Sequence, residues 1–139
     1  MPVQDIKRIY TGLQDNLGNK DACHFLTLCS IAHEYSGRKI DILSATIECI
    51  EKDLISKDFY VKDNIGVLEL LTGEKGWIEE RKTYVPPFVG PNEFTELVWY
   101  CSETKQRHYT RKYVDTLFNS YTVARGKVIE CRIYRKEDK

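Results

Sequence analysis

Apolar positions recur at helical spacing through the first half of the chain and at alternating spacing through the second. Val3, Ile6, Ile9, Tyr10 and Leu13 predict a helix over residues 3–15, stopped before Asn16-Leu17-Gly18. Asp21 is placed to cap the next helix. Its broad apolar face holds Ala22, Phe25, Leu26, Leu28, Cys29, Ala32 and Tyr35, and Gly37 ends it. A third helix is expected from Asp41 to about Leu54, with Ile42, Leu43, Ile47, Ile50 and Leu54 inward. A fourth covers residues 63–72 and stops at Thr72-Gly73. Beyond Gly76 the period falls to two. Trp77-Ile78 and Tyr84-Val85 read as strand pieces, the second ended by Pro86-Pro87. Further strands are expected at 94–101, 106–110, 113–116 and 121–124. A separate final strand is the clearest: its Ile129, Cys131 and Ile133 alternate with Glu130 and Arg132. Helices followed by antiparallel strands predict an α+β domain, with N-terminal helices packed on a C-terminal antiparallel sheet.

Composition narrows the function classes. The 139 residues form one domain, 1–139, long enough to bury about two thirds of the unfolded surface. Lys+Arg and Asp+Glu stand at 21 each, so no net field draws in nucleic acid or an anionic membrane. No apolar run has the length of a membrane span. Met1-Pro2-Val3-Gln4-Asp5 lacks the pattern of a signal peptide, so a cytoplasmic location is expected. The five cysteines are an odd set without a CxxC pair. They are expected to be thiols in a reducing compartment, with Cys29, Cys49 and Cys131 packed inward.

Candidate chemistry centres on Cys23. A thiol in the first turn of a helix meets the positive end of the helix dipole, which lowers its pKa. With His108 on a later strand, this is the layout of a cysteine hydrolase. If Arg111-Lys112 form a two-residue turn, His108 faces Asp115, and a carboxylate there would orient the imidazole. Gln14, Asn16 and Asn19 are oxyanion-donor candidates by type, and Asn16 and Asn19 are equally ordinary turn residues. Each feature has a plain counterpart: Cys23 as a packing thiol, and His108–Asp115 as an incidental surface pair. Cys23, His24, Cys29 and His33 cluster on one helix, but their apolar neighbours favour core packing over zinc, so no metal and no cofactor is expected.

The segments Asp21-Ala22-Cys23-His24-Phe25-Leu26, His108, Val114-Asp115-Thr116 through Thr122-Val123, and Gly126 through Ile133 are similar to those of small phage- and prophage-borne proteins. That group resembles papain-like peptidases of the bacteriocin-leader type. The resemblance implies a papain-like fold in which Cys23 is nucleophile, His108 base and Asp115 orienting acid, acting on a peptide or protein substrate. Ala22 stands where the group has Gly, Thr110 where it has Val, and Thr116 where it has Pro. The second reading is an inactive papain-like scaffold that serves as a protein-binding accessory protein.

Overall fold

In the computed structural model, residues 22–102, 105–111 and 127–137 are described. The helix expected over 3–15 and the strands expected at 113–116 and 121–124 lie outside them. Among the described residues three helices come first: α1 (Cys23–Ser36), α2 (Ile42–Glu51) and α3 (Asn64–Thr72). Four strands follow: β1 (Trp77–Lys82), β2 (Glu93–Cys101), β3 (Gln106–Arg111) and β4 (Lys127–Lys136).

The helices start and stop where their local chemistry directs. Asp41 caps α2 by accepting from the Ser44 amide at 3.3 Å, and Asp63 caps α3 by accepting from the Gly66 amide at 2.9 Å. A side chain at Gly66 would collide with Asp63 and with Leu54, so the capped turn needs a residue without Cβ there. Gly37 ends α1 in the left-handed conformation, at φ 70°. At the other end of α1 the expectation is corrected: the N-cap position is Ala22, not Asp21, and no side chain caps it.

Helix α1 is central. Every residue from Phe25 to Ala32 is buried, so its polar Thr27 and Ser30 face protein as well. Thr27 satisfies its hydroxyl on the Cys23 carbonyl (2.8 Å), and Ser30 accepts from Arg111 (2.9 Å). Phe25, Leu28 and Ile31 join Val67 and Leu68 of α3, and Trp77, Phe94 and Tyr134 of the sheet, in one core. The aromatic side chains interlock: Tyr35 meets Trp77 edge-on at 4.9 Å between centroids, and the Trp77 indole donates to Thr72 at 3.1 Å.

The sheet is antiparallel throughout, in the order β1-β4-β2-β3. The last strand in sequence therefore sits inside the sheet, with both edges paired. Expectation for β4 needs a correction here. Its Cys131 and Ile133 do pack inward, with Leu97, yet Arg132 and Tyr134 on the alternate phase are also buried, against the helices. Both faces of this strand are covered, so its polar phase is not a solvent phase. Tyr84-Val85 forms no strand, and both residues are exposed. Arg111 is a strand residue paired with Glu96; Lys112 and Asp115, on which the expected hairpin and its His108–Asp115 pairing depend, lie outside the described residues. Cys23, Cys29, Cys49 and Cys131 are all buried thiols. No described helix is long and apolar enough to cross a membrane.

Candidate binding site: a buried ion network and its pocket

Alternation along the strands sends Phe94, Glu96 and Val98 of β2 toward the helices. Glu96 is thus a carboxylate on an otherwise apolar phase, and it is completely buried. Burial of a charge in the interior demands partners. Three come from two elements, β4 and α1. The hydroxyl of Tyr134 donates to Oε1 at 3.0 Å, the Arg132 guanidinium stands 3.7 Å from the same oxygen, and the His24 Nδ1 lies 2.5 Å from Oε2. Arg132 is the direct cross-strand neighbour of Glu96, so the β2–β4 register itself brings this pair together.

The remaining contacts fix the histidine. Asn64, the first residue of α3, donates its amide nitrogen to Glu79 at 2.9 Å. A carboxylate only accepts, so the Asn64 carbonyl oxygen faces His24, and Nε2 donates to it at 2.9 Å. On the other side of the ring, Nδ1 makes the short contact with Glu96. The ring is stacked on Tyr109 at 4.4 Å, and Arg132 stands over the same Tyr109 ring at 5.5 Å from its centroid. Arg132 also donates to Glu130 at 3.0 Å.

The ionisation behaviour follows from these neighbours. Burial alone would lower the pKa of Arg132, but the charge of Glu96, with Tyr134 and Glu130, outweighs it and holds the guanidinium above its ordinary value. Burial and then the negative charge of Glu96 push the Tyr134 hydroxyl well up, so it stays a donor. For Glu79, burial acts upward, yet the hydrogen bonds from Asn64 and Arg81 win and lower it.

An open cavity of about 770 Å³ lies against this network. One wall is the sheet, with Arg81, Arg107, Tyr109 and Arg132, and the other is the 58–65 segment that leads into α3. Phe59 shapes that segment. It takes φ 68°, a strained choice for a residue with a side chain, and is held there with its ring buried 6.0 Å from Phe25.

The expected catalytic residues fare differently. Cys23 opens α1 as its first residue, but only 1% of it is exposed. Its pKa is pushed up to about 12: burial is the largest influence, the Tyr109 backbone amide counters it in part, and the charge of Glu96 adds to the rise. The expected lowering of this pKa is therefore reversed. The dipole of one helix end is worth a fraction of a kcal/mol to about 2 kcal/mol, which loses to the desolvation of a sealed thiolate. His108 is buried on β3 opposite Trp99, and strand alternation sends its side chain to the sheet face of Leu97 and Trp99. The ring that β3 delivers to the helical face, onto His24, is that of Tyr109. Asp115, Gln14, Asn16 and Asn19 lie outside the described residues. Among the described residues, no group of three or more His, Cys, Asp or Glu could hold a metal ion.

Sequence reasoning singled out none of Glu96, Arg132, Tyr134, Asn64 and Glu79. One signal was available: Glu96 shares a strand phase with Phe94 and Val98, and a carboxylate in that phase asks for buried partners. No protein-family model, curated protein or solved structure matches the chain. The class defined by fold and site is thus an α+β domain with a buried ionic network beside an open polar pocket.

Proposed function

We propose that this domain is a papain-like scaffold that works by binding a protein or peptide partner, with the pocket in front of His24 and Arg132 as its recognition surface. The state of Cys23 carries this reading. A nucleophilic cysteine needs an accessible thiolate. Cys23 is sealed, and its thiol stays protonated to about 12. The order of helices before an antiparallel sheet, with a cysteine opening the central helix, supports the papain-like part of the reading. The phage or prophage origin rests on the sequence resemblance alone.

A cysteine hydrolase is the second reading, and one observation favours it. Cys23 stands at a helix start with the Tyr109 amide acting on its sulfur, both of which favour the thiolate. Alkylation of the native protein with iodoacetamide, mapped by mass spectrometry, separates the two. Binding predicts that Cys23 labels no faster than the buried Cys29 and Cys49, and that His108→Ala leaves its rate unchanged. Fastest labelling at Cys23, slowed by His108→Ala, would install the hydrolase instead.

A further inference from the structure

The acidic and basic groups around the pocket are not equivalent. Each acid that lines it is engaged within the protein: Asp58 accepts from Ser56, Asp63 caps α3, and Glu79 accepts from Asn64 and Arg81. The Lys62 ammonium is turned to Asp53, 2.5 Å away. Arg107 differs. It is exposed, and its guanidinium makes no hydrogen bond or ion pair with a described residue.

Arg107 also lines a second, smaller cavity of about 250 Å³ that shares Arg81 with the first, so the two arginines stand where the cavities meet. Across the two cavities the sheet wall therefore presents Arg81, Arg107, Arg132 and Lys82 against the carboxylates of Glu79 and Glu130. Arg132 is locked in place by Glu96 and Glu130, and Arg81 by Glu79. Two of these guanidinium groups are held and Arg107 is unengaged by the described residues, which leaves it available for a planar oxyanion, gripped through two parallel N–H donors.

We propose that this arginine wall takes the carboxylate side chains of an acidic peptide segment of the partner. The inference rests on the binding reading above and names the chemistry of its occupant. Charge complementarity selects an acidic segment. The two adjoining cavities, of about 770 and 250 Å³, offer more room than a single small anion requires, which favours a peptide carrying several carboxylates over a lone phosphate. Tyr60, largely exposed on the opposite wall, offers an aromatic surface for the apolar parts of such a segment.

The test is calorimetric titration of the whole chain, at low salt, with three probes: a peptide containing four consecutive glutamates, the same peptide with lysines, and pyrophosphate. The glutamate peptide is expected to bind with a dissociation constant below about 1 mM, weakening as salt rises. Arg107→Glu is expected to weaken it about tenfold or more through like-charge repulsion, and the milder Arg107→Gln by less. Both substitutions are at an exposed side chain, and unchanged circular dichroism establishes that they fold. Equal binding of the lysine peptide, no binding of the glutamate peptide, tighter binding of pyrophosphate, or indifference to both substitutions would each overturn the proposal. An unreactive Cys23 would leave the binding reading standing in any of those cases.

Discussion

Helices and sheet meet in two ways in this molecule. At one end of the interface Phe25, Leu28, Trp77 and Phe94 fit together as a dry apolar core; at the other, His24, Glu96, Arg132 and Tyr134 bury a carboxylate among its partners. The two ends are stabilised by different rules. Apolar packing is graded, since each methylene adds its own increment. A buried ion group is conditional, because every member needs the others and a lone survivor costs more than the set provides. The pocket lies at the conditional end, so the groups that meet a ligand are held by mutual constraint and not by shape alone.

The most disruptive single change should be Glu96→Ala, which strands Arg132 and His24 together. It is expected to destabilise the fold by about 3–5 kcal/mol, read as a lower urea midpoint. Adding Arg132→Met should then recover part of the loss, so the double variant should be more stable than the sum of the singles implies. Strict additivity would mean that the two ends of the interface obey one rule. At the apolar end, Leu28→Ala should cost about 2–5 kcal/mol, with no compensating partner substitution available and no shift in the pH dependence of stability. A pH-dependent loss there would blur the distinction.

The elements were legible where periodicity was strong. Helices over 41–54 and 63–72 and strands at 94–101 and 106–110 reappear as Ile42–Glu51, Asn64–Thr72, Glu93–Cys101 and Gln106–Arg111. Cys29, Cys49 and Cys131 are inside, as their apolar neighbours implied. The site was harder to read, for a physical reason. Period two shows that a strand has two phases, but not that both are covered, so Arg132 passed for a solvent-facing position. The behaviour of Cys23 was misjudged because a helix start is visible in sequence, whereas the burial that overrides its dipole, and the Glu96 charge that adds to it, arise from the tertiary fold.

Ionisation of Cys23 tests the central claim most directly. Thiolate absorbance of the native protein, taken as the difference from Cys23→Ser, should show no ionisation near the ordinary value of 9.0 and should rise only at about 12. A folded pKa raised above the unfolded one contributes stability that is fully present below pH 9.0 and is lost as pH climbs through about 12. Wild type should therefore weaken across that window more steeply than Cys23→Ser. A Cys23 thiolate formed below 9.0 in the folded protein would contradict the account, because it would restore the nucleophile that the binding reading excludes.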